Sequence, residues 1–333
     1  MFLTVPPPPL PEAPCGGPSL SDESRPVFTP PPFLTLDQRL EYLVRKNYLF
    51  DGIPSDDARE SLGNLNFHYF LGYARNYRQL GSRSVVRTDG DVLERMLSLV
   101  ELDRELSIVV FHGLRRLEWR LRALLVQHHC ELFPTTACFL DPGHYRVLKP
   151  DLPPIELSLL KHIERSREPY LVEHFDAGRS VQDLPIWAVV DTWTFGDLSR
   201  LVSETIPLID PHTGEERRLW KGIAQSLGVS ASTIIGNLET MSVLRNLVAH
   251  HSRLWMRPMT IMPRIPKYYP AQLRRKLDSG SLYGAFLALA ELLGPRGDGQ
   301  LFLDDVKAIL ARDPAFKLGI TNPVSKTDHS LEL

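Results

Sequence analysis

Arg245, Asn246 and His250 are the residues of this chain whose types and spacing point most directly to chemistry. RNA is cut without a metal when its own 2′-hydroxyl attacks the neighbouring phosphate. That reaction needs a group to take the 2′ proton, a group to protonate the leaving 5′ oxygen, and positive donors around the phosphorane. Histidine suits the proton steps because its unperturbed pKa lies near neutrality, and arginine suits the phosphate because its planar fork holds two oxygens at once. Asn246, one helical turn before His250, can orient the imidazole or donate to the phosphate itself. No metal ion and no cofactor is called for. His251, Arg253 and Arg257 follow within a few residues and are assigned to RNA contact. Cations on phosphates set position rather than sequence preference. For His251 the nearby apolar stripe points towards packing.

The element that must position these groups is a helix. Met241, Leu244, Leu247, Val248, Leu254 and Trp255 recur at three- and four-residue steps, which is the spacing of one buried face. The pattern predicts a helix capped by Ser230 or Ser232 and running through Arg257. On it Asn246, His250, Arg253 and Arg257 share the face opposite the stripe. Arg245 lies about 140° from His250 at about 100° per residue, so one straight helix does not aim both at the same atom. A purely structural alternative pairs Arg245 with Asp191 or Glu239, uses Asn246 on backbone groups and makes His250 a hydrogen-bonded interior residue.

The stretch from Arg245 to Arg257 resembles the arginine-asparagine-three-residue-histidine signature of the HEPN superfamily. More closely, it is similar to the "RN-x-x-AHH-x-RLW-x-R" segment of the Abi-like (abortive infection) proteins of bacteria. Upstream, Pro185-Ile186-Trp187 and Phe195-Gly196-Asp197-Leu198-Ser199 resemble the same family's "PIW … FG-x-LS" segment, and Asn66 to Tyr73 its aromatic "NYYRLSGY" block. The likeness runs from about Leu34 to about Gly319. Asp191 stands where the family usually has glutamate, Val248 where it often has cysteine, and Met256 where it has the asparagine of "LWNR". The resemblance implies a HEPN-like bundle whose ribonuclease site is shared by two copies, each lending its helix across a two-fold axis. It also implies a role in defence against phage, with room for an antitoxin or another regulatory partner.

Composition sets the limits of these expectations. A chain of 333 residues, 43% hydrophobic and 23% charged, is long enough to bury a sizeable core and ordinary for a soluble protein. Its formal net charge of -2 conceals a segment of one sign, because no acidic residue falls between Glu239 and Asp278 while eight arginines and lysines do. Such a segment fits RNA as a partner. Cys15, Cys130 and Cys138 lack metal-ligand spacing, and a reduced, cytoplasmic setting is the simpler reading. No apolar run suits a membrane span or a secretory signal.

Along the chain, residues 1–33 carry a proline-rich leader expected to be disordered, with eleven prolines in the first 32 positions. A single helical domain is expected over 34–320, and a polar tail over 321–333. Thr35 and Gln38 form a capping-box pattern. A second helix is expected from near Ser55 through Tyr73, its aromatics filling a core or, alternatively, stacking on a base. The apolar period from Asp91 to Cys130 predicts a long helix bent or split near His112-Gly113. Its second half carries Arg115, Arg116, Arg120 and Arg122 around Glu118, either as a solvated face of ion pairs or as a phosphate-contacting strip. Shorter helices are expected over 155–166, 168–175, 185–193, 217–227, 282–293 and 303–310, with Phe195-Gly196 ending the 185–193 helix and Asp197 capping the next.

The fold class is therefore all-α, a HEPN-like helical bundle with extra helices. The functional expectation is a homodimeric, metal-independent endoribonuclease. Its rivals are a non-catalytic protein that holds a structured RNA on the same basic face, and an interaction module kept silent by a partner.

Overall fold

The computed structural model describes residues 32–46, 48, 54–82, 92–133, 138–209 and 212–323. The leader up to residue 31 and the tail from residue 324 lie outside the described residues. The architecture is all-α, as the apolar periodicity requires.

Helix α1 (Leu36–Arg45) begins with the expected capping box of Thr35 and Gln38, and α2 (Asp56–Gly63) is capped by the Ser55 hydroxyl. The continuous helix expected from Ser55 through Tyr73 is broken in two. Asn66 stops it, because its Oδ1 accepts from the amides of His68 and Tyr69 at 2.9 and 3.2 Å and so starts α3 (Phe67–Ser82) afresh. Helix α4 (Val92–Leu132) runs for 41 residues without the split expected near His112-Gly113. Gly113 answers to packing instead, since a Cβ there would meet Leu289 and Phe302 at 3.2 Å.

Helices α5 (Ile155–Arg165), α6 (Pro169–Asp176) and the single turn α7 (Ile186–Val189) follow, the last opened by Pro185. Phe195-Gly196 does not end that turn but begins α8 (Phe195–Glu204), whose cap is Thr194 with Asp197 reaching back to it. A two-residue antiparallel pair, β1 (Leu208–Ile209) and β2 (Glu216–Arg217), leads to α9 (Leu219–Leu227), which ends at Gly228 with φ 71°. Helix α10 (Ile234–Ala249) has Thr233 at its N-cap. Ser230 and Ser232 hydrogen-bond to each other at 2.9 Å and neither caps it.

The C-terminal part holds α11 (Ala271–Lys276), α12 (Leu282–Leu293), α13 (Asp298–Leu310) and α14 (Pro314–Thr321), the last not anticipated from the sequence. All twelve residues of α12 are buried, as expected of a helix apolar on every side. It lies against α4, α10, α13 and α14, and α10 packs in turn on α4 and α8. The site residues at the end of α10 thus hang from a helix packed on α4, α8 and α12.

Candidate active site

Helix α10 ends at Ala249, eight residues before the predicted end at Arg257. The termination is a Schellman motif: the amide of Ser252 donates to the Leu247 carbonyl at 2.9 Å and that of His251 to the Val248 carbonyl at 3.1 Å. His251 occupies the left-handed position with φ 51°. Glycine is the usual occupant there, because a Cβ in that conformation costs about 1–2 kcal/mol. An imidazole is therefore held where backbone preference favours no side chain. The predicted face is dismantled by this turn. Asn246 and His250 remain on the last turn of the helix, both exposed, while everything beyond is redirected.

What redirects the chain is Asp103 of α4. Its carboxylate is almost fully buried and accepts from the amides of Leu254 and Trp255, each at 2.9 Å, and from the Tyr73 hydroxyl at 2.5 Å. Burial pushes the carboxyl up to about 6, although the Tyr73 hydroxyl and the two amides favour its charged form. Leu254 and Trp255 are thereby drawn into the core. The Trp255 ring stacks on Tyr73 with centroids 5.8 Å apart, and its indole N–H donates to the Ala315 carbonyl at 3.0 Å. Met256 follows with φ 54°, its amide on the Gly319 carbonyl at 3.1 Å. Gly319 must be glycine, since a Cβ would fall 2.2 Å from the indole nitrogen.

Arg253 turns inward from the same segment. It donates to the Gly72 carbonyl at 2.8 Å and lies 5.6 Å above the Tyr73 ring, so it braces the turn on α3. Arg257 is exposed and has no ion pair among the described residues. His251 is exposed, against the expected packing on the apolar stripe. It lines a cleft of about 760 Å³ with, among others, Leu65, Tyr69, Ser107 and Ile108.

Arg245 goes elsewhere. Its Nε lies 3.8 Å from Glu118 of α4, which also accepts from Arg122 at 2.7 Å. Neither partner expected for Arg245 is the one found: Asp191 stands 3.7 Å from Arg122, and Glu239 pairs with Lys149. The short Asp191 leaves that contact beyond hydrogen-bond length, and the Nε atoms of Arg122 and Arg245 are buried without a hydrogen bond. The remaining arginines of α4 are largely engaged as well. Arg116 pairs with Asp298 at 3.2 Å, Arg120 donates to the Ser226 carbonyl at 3.0 Å, and Arg115 lies 4.3 Å from the exposed Trp119 ring. The strip is a solvated face with internal pairing rather than a row of free cations.

The structure thus gathers Asn246, His250 and His251 at one corner, sends Arg253 to α3, leaves Arg257 outward, and joins Arg245 to Glu118 instead of to His250. Two exposed imidazoles beside a largely acid-free segment can move protons at a bound phosphodiester. Asp103 was not singled out from the sequence, and Glu118 was read there as the centre of the α4 arginines but not as the partner of Arg245. The available signal was an acidic residue on the buried stripe of α4, where Asp103 follows Leu99 and precedes Leu106 at helical spacing.

The sequence model of the Abi-like protein family matches residues 60–256, more than half of the chain. The matched span starts within α2 and ends at Met256, so it includes Asp103, Glu118 and the whole corner. No curated protein and no solved structure matches the chain.

Proposed function

Since the chain belongs to the Abi-like protein family, we propose that it is a cytoplasmic, metal-independent endoribonuclease of the HEPN type, acting in bacterial abortive-infection defence. His250 takes or gives a proton at the scissile phosphodiester, Asn246 orients it, and Arg257 with the basic segment beyond it holds phosphates. The observation that carries this reading is His251: an imidazole kept at a left-handed position that suits glycine, exposed and next in sequence to the exposed His250. Backbone strain of this kind accumulates at functional sites.

General acid and general base require two groups. In a homodimer the second imidazole comes from His250 of another copy, and Arg245 reaches the shared cleft from there; within one chain the candidate is His251. Comparing His250→Ala with His251→Ala separates these arrangements. Cutting lost in His250→Ala but kept in His251→Ala indicates a site built from the His250 rings of two copies, and cutting lost in both variants indicates the two histidines of one chain.

The primary test incubates purified protein with labelled RNA in excess chelator. Cutting by the wild type, and its loss by about 10²-fold or more in His250→Ala with RNA association retained, is the expected result. Undiminished cutting by the variant removes His250 from the mechanism. A second reading, a protein that holds RNA without cutting it, is favoured by the pairing of Arg245 with Glu118. It predicts salt-sensitive RNA association and no cleavage by any form of the protein.

A further inference from the structure

The aromatic block of α3 divides into two populations. Phe70, Tyr73 and Tyr77 are buried and belong to the core, but Tyr69 is half-exposed and its ring forms a wall of the cleft beside His251. At about 760 Å³ the cleft falls within the roughly 300–1,000 Å³ typical of small-molecule sites. Its sides are apolar, with Tyr69 and Leu65 contributed from one direction and Ile108 of α4 from another. The Tyr69 ring is held in place: its hydroxyl lies 3.1 Å from that of Tyr73, and the two rings meet edge to face at 5.4 Å. A fixed aromatic wall is a stacking surface that loses little freedom when a flat group settles on it.

The polar groups around the cleft are unevenly engaged. Asn66 has its Oδ1 occupied by the His68 and Tyr69 amides, which leaves its Nδ2 hydrogens as donors. Ser107 adds a hydroxyl that both donates and accepts. The buried Asp103 carboxylate also borders the cleft, and a phosphate would be repelled there. Arg104 is exposed and, among the described residues, pairs with the exposed Glu101. Charge therefore sorts a nucleotide in one sense, with the uncharged base inward and the phosphate outward on Arg104.

We propose that the cleft between α3, α4 and the turn after α10 holds one unpaired base of RNA, stacked on Tyr69 and read along its edge by Asn66 and Ser107. The ligand class rests on the ribonuclease reading above, while the site itself rests on the cleft. A base within a duplex is stacked and paired and does not enter such a cleft, so the substrate is single-stranded or bulged at this nucleotide. Because His251 borders the same cleft, a base seated there with one flanking phosphate on Arg104 brings its other flanking phosphate towards the imidazole corner.

The test uses the full-length protein and an RNA carrying 2-aminopurine at one position, as a single strand and as a duplex, with fluorescence read at saturating protein and affinity measured separately. The expected result is quenching in the single strand alone. Tyr69→Phe keeps the quenching; Tyr69→Leu abolishes it and weakens binding about ten-fold, the scale of one lost base–aromatic stack. Ile108→Glu, at an exposed helix position, also abolishes it and guards against a folding defect in the leucine variant. Equal quenching in single strand and duplex, or undiminished quenching in Tyr69→Leu, overturns the proposal. RNA cutting by a protein that never quenches the probe defeats the base site and leaves the nuclease reading standing. Quenching without cutting does the reverse, and no RNA association at all defeats both.

Discussion

Asp103 and Glu118 lie on the same helix, about 22 Å apart along its axis at 1.5 Å per residue, yet they organise their surroundings in opposite ways. Around Glu118 the partners are cations: Arg122 and Arg245 converge on it from α4 and α10, and Arg122 reaches on to Asp191 and the Trp193 carbonyl. Positive charge there is neutralised locally and ties helices together. Around Asp103 the hydrogen-bond partners are two backbone amides and a phenol, and no ion pair is formed among the described residues. That carboxylate bends the chain, and by bending it leaves His250, His251 and Arg257 facing outward. A count of arginines therefore says little about which cations remain free for a ligand. The arginine-rich half of α4 spends most of its cations on partners within the fold.

The sharpest way to break this contrast is to remove the carboxylate that shapes the turn. Asp103→Ala leaves two amides and a hydroxyl without their acceptor in a buried place, at about 1–3 kcal/mol for each unsatisfied group. We expect a loss of about 3 kcal/mol or more in urea unfolding, accompanied by loss of RNA association. Glu118→Gln should cost about 1–2 kcal/mol through weakened charged hydrogen bonds, with RNA association unchanged. Equal damage to RNA association in both variants would erase the distinction drawn here.

A smaller effect of opposite sign is expected from His251→Gly. Relief of the left-handed strain, partly offset by the greater freedom of an unfolded glycine, should stabilise the protein by up to about 1 kcal/mol. RNA association or cutting should fall at the same time, a trade that a purely structural residue would not produce. The finest test is of pH. The Asp103 carboxyl is raised in the folded protein to about 6, above its unfolded value near 4. Its contribution to stability is therefore complete below about pH 4 and declines as pH rises through about 6. Urea unfolding of wild type and Asp103→Asn across pH 4 to 8 should show the difference between them shifting against the wild type in that window. A difference that is flat with pH would mean that the carboxyl stays ionised throughout.

Much of the scaffold was legible because helix signals are local. The Thr35 cap, the helix start near Ser55 and the apolar period of α4 each depend on residues within a turn or two of one another. The failures came where a distant partner overrules local pattern. Apolar spacing runs on through Leu254 and Trp255, yet the helix stops at Ala249 because Asp103, far away in sequence, supplies better hydrogen bonds to the next amides. Gly113 looked like a breaker and is a contact point for α12 and α13. The site was legible in part for the same reason. His250 and Asn246 stand exposed on the last turn of α10, while the partner of Arg245 and the inward course of Arg253 are tertiary facts that no periodicity encodes.

Gly319 carries one more consequence. The carbonyl that holds the Met256 amide and the bare Cα that admits the Trp255 indole both belong to α14, beyond the family-matched span and near the end of the described chain. A polypeptide still emerging from the ribosome has made both histidines well before it has made their floor. The corner takes its final form only once α14 has been added, so the fold of the turn waits on a helix made long after the histidines it carries.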